Sequence, residues 1–144
     1  MKKKIIIMVL IIVFAIALII VNKFMSKQNK NILASESDAI TYVNYDTLAN
    51  EYINSGKKVV LYCYTSWCEY CSAFVPILEE VAAENTNENI VFLQANIEAE
   101  PEIDQAYGIY YLPTILIFKD GENVDRGSGY MEKEKLLDLI DYEN

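Results

Sequence analysis

All three cysteines of this 144-residue chain lie within nine residues, in the stretch LYCYTSWCEYC, and the chain contains no histidine. Cys63, Cys68 and Cys71 have the spacing C-x4-C-x2-C, which matches the opening of a plant-type iron–sulfur ligand set. That set needs a fourth cysteine, and structural zinc usually takes four cysteine or histidine ligands. The composition therefore argues against a metal site, and Cys63, within an apolar run, is interpreted as a small buried residue.

The pair Cys68 and Cys71 lies where a predicted strand is followed by a predicted helix. The stretch KVVLYCY before the pair is typical of a strand buried on both faces of a sheet. The first turn of a helix has unpaired N–H groups and a partial positive charge, which favour a thiolate on Cys68 and lower its pKa. A purely structural disulfide is the alternative, but so short a loop restrains an unfolded chain little. The placement therefore favours dithiol redox chemistry.

The hydrophobic periodicity of the C-terminal three quarters predicts the element order β-α-β-α-β-α-β-β-α. Pro76 lies inside the helix predicted over residues 68–85 and should bend it, because proline lacks a backbone donor. Asp120-Gly121 predicts the turn of a hairpin. The predicted elements are strands 39–44, 58–64 and 89–96, helices 45–54, 68–85 and 101–108, a hairpin over 114–129 and a last helix over 131–142. This alternation predicts an α/β domain with a central mixed sheet flanked by helices.

The N-terminus combines three lysines, Lys2 to Lys4, with an uncharged apolar run from Ile5 to Val21. Seventeen helical residues cover about 25 Å, slightly less than the bilayer core of about 30 Å. A cleaved signal peptide is disfavoured because no small-residue cleavage pattern follows closely, and a core helix would show a polar stripe. We predict an uncleaved signal anchor, one transmembrane helix, over 1–25, a polar tether over 26–37 and a folded domain over 38–144. The positive-inside rule then predicts a cytoplasmic N-terminus and an extracytoplasmic domain at the cell membrane.

The charge is strongly divided along the chain. All 21 acidic residues follow position 30, together with six of the twelve basic residues, so that part carries 6 − 21 = −15 formally. A surface of this sign repels phosphate backbones, which disfavours nucleic acid as a partner. The simplest interpretation of the charge is that it keeps the domain soluble.

Several of these features together resemble the thioredoxin family. The stretch Trp67 to Cys71 matches the W-C-x-x-C active site, and Pro76 matches the helix-kinking proline of the family. The stretch YGIYYLPT, Tyr107 to Thr114, resembles the segment that carries a cis proline beside the dithiol, which here would be Pro113. Gly129 falls at the groove glycine of the closing hairpin. With its anchor, the chain resembles membrane-tethered thiol–disulfide oxidoreductases of the Gram-positive extracytoplasmic type.

The resemblance implies a mechanism and a set of site residues. Cys68 would attack a disulfide and Cys71 would resolve the mixed disulfide, without a metal or other cofactor. The clients would be exported proteins with disulfides or thiols, the electron donor could be a membrane protein, and the chain would act as a monomer. The client would bind along a groove, its backbone pairing at Leu112 in the manner of an added strand. The groove residues implied by the resemblance are Trp67, Leu112, Pro113 and Gly129.

Two departures from the family pattern bear on function. Tyr62 stands where cytoplasmic thioredoxins carry a buried aspartate, and Gln94 stands where they carry its partner lysine, which puts fast turnover in doubt. Glu69 places a negative charge beside the cysteines, which disfavours a thiolate and so favours a reductant. The rival hypotheses are a disulfide-forming oxidase for secreted proteins and a non-enzymatic accessory domain that binds a membrane partner.

Overall fold

The computed structural model describes residues 2–28 and 34–140, and it divides into two compact units, Met1–Asn31 and Ile32–Asn144. In the first unit, helix α1 spans Lys2–Gln28. The large apolar side chains described in α1, between residues 6 and 20, are exposed. The described residues contain no helix that is both long enough and apolar enough to cross a membrane, so the predicted transmembrane helix is not confirmed.

The second unit is built on a five-stranded mixed sheet, as the sequence predicts. Its strands are β1 (Ile40–Tyr42), β2 (Lys58–Tyr64), β3 (Ile90–Asn96), β4 (Thr114–Lys119) and β5 (Glu122–Ser128). They are ordered β1-β3-β2-β4-β5. The first three strands run parallel, whereas β4 is antiparallel to β2 and β5 is antiparallel to β4. Because β2 lies at the centre, its last six residues are all buried, in agreement with its continuous apolar sequence.

Helices cover both faces of this sheet. The helices are α2 (Tyr45–Thr47), which continues as a π-helical turn (Leu48–Tyr52), α3 (Glu69–Glu84), α4 (Pro101–Tyr107) and α5 (Lys133–Ile140). On one face, α3 and α5 bury apolar side chains such as Phe74 and Leu136 against the sheet. On the other face, Leu48 and Ile103 bring the π-helical turn and α4 into a second cluster. The result is a three-layer α/β/α domain with α3 reaching from the end of β2.

The elements follow the predicted order, with differences at their ends. The predicted helix 45–54 is a short α-helical turn, capped by the side chain of Asn44, followed by the π-helical turn. Pro76 lies inside α3 as predicted. The last two residues of the predicted helix 131–142 lie outside the described residues.

The segment predicted as tether, 26–37, makes ordered contacts with the domain at its end. The backbone N–H of Ser35 donates to Oε1 of Gln94 at 2.7 Å, and Nε2 of Gln94 donates to the carbonyl of Ser35 at 2.8 Å. The hydroxyl of Ser35 also donates to Glu79 at 2.7 Å. Ser35 is therefore buried and belongs to the folded domain, a few residues before the predicted boundary at 38.

Candidate active site

The two cysteines of the W-C-x-x-C motif lie at the junction of β2 and α3. Cys68 is the N-cap residue of α3, with an extended backbone, and Cys71 lies in the first turn. Their sulfurs form a disulfide, with the Cα atoms 5.3 Å apart. The side chain of Cys71 is fully buried, whereas Cys68 retains 4% exposure and borders an open cavity. Of the two cysteines, only Cys68 is therefore in contact with space that a client could enter.

The turn before Cys68 is held by a carboxylate that sequence reasoning missed. Glu98, just past β3, accepts a hydrogen bond from the backbone N–H of Ser66 at 2.6 Å. Hydrogen bonds from Ser66 hold the pKa of the Glu98 carboxyl below its usual range; burial opposes them, and a hydrogen bond from the Trp67 side chain adds a smaller lowering. Trp67 remains 70% exposed. No local pattern marks Glu98, because it meets this turn only through the parallel pairing of β2 and β3.

The segment predicted to carry a cis proline does so, at the bond Leu112-Pro113. Pro113 is buried, and its carbonyl accepts a hydrogen bond from the N–H of Gly129 at 2.7 Å. Gly129 has a φ of 79°, a conformation that L-residues with side chains rarely adopt. The hydrogen bond fixes the end of β5 against the entry of β4, so that the predicted groove residues Leu112 and Gly129 face one depression.

Two cavities lie at this end of the domain: one is bordered by Cys68, and both are bordered by Tyr70, which lies between the two cysteines in sequence. The Gly129 groove, of about 360 Å³, is lined by Tyr70, Tyr111, Leu112, Ser128, Gly129 and Tyr130. The Trp67 cavity, of about 500 Å³, is lined by eleven residues that include Thr65, Trp67, Cys68, Glu69, Asp104 and Tyr110. Tyr70, Tyr111 and the predicted groove residue Leu112 border both cavities, whereas Trp67 borders only the first, Gly129 only the second and Pro113 neither. The predicted groove is thus two depressions that meet at Leu112, and the roles of its residues in client binding stay predictions.

Cys63 is not part of the redox pair. It lies in β2, is fully buried and is free. Burial raises the pKa of the Cys63 thiol far above its ordinary value; Asp104 adds to the rise, and the positive charge of Arg126 opposes it. A thiol held neutral in the core packs as a small apolar residue, in line with the interpretation from sequence.

Beneath the disulfide, the two positions that depart from the family pattern are neighbours. Tyr62 in β2 pairs in register with Gln94 in β3. The ring of Tyr62 is fully buried and lies 5.3 Å from Tyr64 and 5.9 Å from Phe74, centroid to centroid. Burial, followed by the neighbouring Tyr64 and Cys63, raises the pKa of the Tyr62 phenol far above its ordinary value. Neither position therefore carries a charge near neutral pH.

The family model described as "Thioredoxin" matches residues 39–142. The chain belongs to the thioredoxin family. A thioredoxin of Rickettsia prowazekii is 33% identical over 70% of this chain and 95% of its own length, and one of Staphylococcus haemolyticus is 32% identical over 71% and 92%. A solved thioredoxin variant from Halobacterium salinarum is 25% identical, with a TM-score of 0.64 over 75% of this chain and 94% of its own.

Family membership and the Cys68–Cys71 pair together establish the activity class. This thioredoxin-family protein is a thiol–disulfide oxidoreductase, and its substrates carry thiols or disulfides. The dithiol prediction from the helix junction is confirmed, and the alternative of a purely structural disulfide is set aside.

Proposed function

We propose that this thioredoxin-family protein reduces disulfides of exported proteins at the outer face of the cell membrane. The thiolate of Cys68 attacks a client disulfide, so that a bond forms between the two sulfurs and one client thiolate leaves. The thiolate of Cys71 then attacks Cys68, which restores the Cys68–Cys71 disulfide and releases the second client thiolate. The observation that carries this order is that Cys68 borders an open cavity while Cys71 is fully buried.

The charge beside the cysteines supports the reducing direction. Glu69 is the first residue of α3, lies between the two cysteines and is exposed. Its carboxylate disfavours a neighbouring thiolate and so favours the disulfide form of the pair, which makes the dithiol a stronger electron donor. Each cycle transfers two electrons to the client. A membrane protein that carries electrons from the cytoplasm would reduce the Cys68–Cys71 disulfide again.

The N-terminal sequence supports a membrane-anchored location. The run from Ile5 to Val21 contains no charged residue and follows three lysines. The apolar side chains exposed on the helix Lys2–Gln28 are unfavourable in contact with water, whereas lipid would cover them. We place the lysines in the cytoplasm and the catalytic domain, as a monomer, outside. Membrane fractionation, followed by protease treatment of wall-free cells, tests this placement: the domain should be cleaved while the N-terminal lysines stay protected.

The experiment that tests the function is the capture of clients on Cys68. In a Cys71→Ala variant the second step cannot occur, so mixed disulfides should accumulate and their partners can be identified by mass spectrometry. The double variant Cys68→Ala, Cys71→Ala should capture nothing, and Cys63→Ala should behave like the parent chain because Cys63 is buried. The absence of any adduct on Cys71→Ala would contradict the proposal.

The direction needs a separate measurement. A reduction potential well below about −120 mV, a value typical of strong periplasmic oxidants, supports a reductant. A potential near that value, together with a mainly oxidised pair in cells and faster refolding of reduced clients, would instead show a disulfide-forming oxidase. If the double cysteine variant kept the cellular function, the chain would serve as an accessory binding domain.

A further inference from the structure

The Trp67 cavity has an acidic lining. Glu69 and Asp104 both border it, and none of its eleven lining residues is a lysine or arginine. The nearby base Arg126 does not line the cavity, because its guanidinium donates to the backbone carbonyls of Tyr107 and Gly108. The domain around it is also strongly acidic. A cationic group that enters this cavity therefore meets two carboxylates and no basic side chain among the lining residues.

The position of Asp104 is fixed by the backbone. Its Oδ1 accepts a hydrogen bond from the N–H of Ile109 at 3.1 Å, which holds the carboxylate at the end of α4. The half-buried side chain therefore does not have to be ordered when a ligand arrives, and a charge held in place at a partly desolvated site attracts more strongly than a mobile one.

Two aromatic rings border the same cavity. Trp67 is 70% exposed and Tyr110 is 87% exposed. Ser66 and the side chain of Trp67 donate hydrogen bonds to Glu98, which restrict the movement of this turn, and the ring of Tyr110 packs over Gly108. Aromatic faces attract lysine and arginine side chains, both through the ring quadrupole and by covering their apolar stems. The rings thus suit the same class of ligand as the carboxylates.

A third feature is an unsatisfied hydroxyl. Thr65 Oγ1 is a buried side-chain oxygen that has no hydrogen-bond partner among the described residues. Thr65 is 2% exposed and lines the cavity next to Cys68. Buried polar atoms are nearly always paired, so this oxygen has hydrogen-bonding capacity that the described residues leave unused. An ammonium or guanidinium group donates hydrogen bonds and can satisfy this oxygen.

We propose that the Trp67 cavity binds a lysine or arginine side chain of the client, close in sequence to the cysteine that Cys68 attacks. This inference rests on the proposed exchange function and names the client class: disulfides flanked by basic residues. The client backbone follows the Gly129 groove, while the basic side chain extends past Leu112 to the carboxylate of Asp104 and the hydroxyl of Thr65.

The test uses peptides that differ in one side chain. Each peptide carries one cysteine in a disulfide with a chromogenic thiol. Lysine, norleucine or glutamate is placed at one flanking position at a time, among the three positions on either side of the cysteine. The reduced full-length chain in detergent should attack the best-placed lysine peptide about five- to thirty-fold faster than its norleucine counterpart, and the glutamate peptide most slowly. The preference should shrink at 1 M salt, where charge attraction is screened. Equal rates for the three peptides at every position would overturn the proposal.

Matched variants assign the preference to the cavity. Asp104→Asn keeps the acceptor for Ile109 but removes the charge, and should lower the lysine-to-norleucine ratio about two- to fivefold. Glu102→Gln, an exposed acid on the same helix outside the cavity, should leave the ratio unchanged. If both variants lowered the ratio equally, net charge rather than the cavity would be responsible, and the proposal would be wrong.

Thr65→Val separates two roles of the hydroxyl. If Oγ1 binds the client cation, the lysine rate falls and the norleucine rate does not. If Oγ1 instead binds the Cys68 sulfur after reduction, all peptide rates and the pKa of Cys68 change together, which would overturn its assignment to the client. A chain inert toward every peptide disulfide would contradict the exchange function itself. An oxidase should show the same lysine preference when its disulfide form reacts with reduced peptides, because both directions share one mixed disulfide.

Discussion

The contact between Gln94 and Ser35 gives the sharpest stability prediction. Gln94 both accepts from and donates to the backbone of Ser35, at 2.7 and 2.8 Å, and both residues are buried. Gln94→Met keeps the length of the side chain but removes both hydrogen bonds. Because the buried N–H and carbonyl of Ser35 lose their partners, each lost bond costs at least about 1 kcal/mol, and the free energy of unfolding should fall by about 2 kcal/mol or more. With a urea m-value of about 2 kcal/mol per M, the unfolding midpoint should fall by about 1 M.

The assay is urea unfolding of the oxidised full-length chain in a non-denaturing detergent, followed by the fluorescence of its single tryptophan. Gln105→Met, at an exposed glutamine of α4, is the matched control and should change the midpoint little. Gln94→Lys should cost more than Gln94→Met, because it places a charged ammonium in a buried site, which outweighs the one hydrogen bond that it can donate to the carbonyl of Ser35. A Gln94→Met chain within 0.5 kcal/mol of the parent, a margin typical of neutral surface changes, would refute the reasoning.

Three further predictions concern single side chains. The lowered pKa of Glu98 means that the hydrogen bonds it accepts from Ser66 and Trp67 stabilise the fold above the unfolded carboxyl pKa and are lost as pH falls through the lower folded pKa. Tryptophan fluorescence should therefore titrate below about pH 4.5, and Glu98→Gln should abolish this change. The buried thiol of Cys63 should resist iodoacetamide in the oxidised native protein, and one thiol should react after denaturation; fast labelling of the native form would contradict its burial. Gly121→Ala adds a methyl group at a residue whose φ is 89°, 2.8 Å from Oδ1 of Asn54. The free energy of unfolding, measured in urea, should fall by about 1 kcal/mol, and the reduction potential should not change.

The elements of the domain could be predicted because their signals are local. The continuous apolar run of β2, the turn at Asp120-Gly121 and the proline at the start of α4 each specify a conformation from adjacent residues. The redox pair could be predicted for the same reason, since Cys68 and Cys71 are three residues apart and the adjacent sequence predicts the start of a helix. Predictions of this kind need no knowledge of how distant segments pack.

The remaining features depend on contacts between distant segments. Ser35 and Gln94 are 59 residues apart, and a serine in a polar stretch gives no sign that it will be buried. Glu98 meets the turn before Cys68 only because β2 and β3 are parallel neighbours. Asp104 likewise reaches the Trp67 cavity because α4 returns to the same end of the sheet. A charged residue on a short helix looks like an ordinary solvent-facing one until the topology is known.

The pair Tyr62 and Gln94 shows how such long-range packing bears on the chemistry. A carboxylate at the Tyr62 position would lie in a fully buried site, where an ion is costly unless a partner offsets it. Here the ring of Tyr62 fills that space against Tyr64 and Phe74, and Gln94 uses both ends of its amide to hold Ser35. Because the Tyr62 phenol stays neutral across the physiological range, it cannot act as a base there. At these two positions the domain therefore has ring packing and a hydrogen-bonded contact with Ser35, and no buried group that could accept a proton from the redox pair.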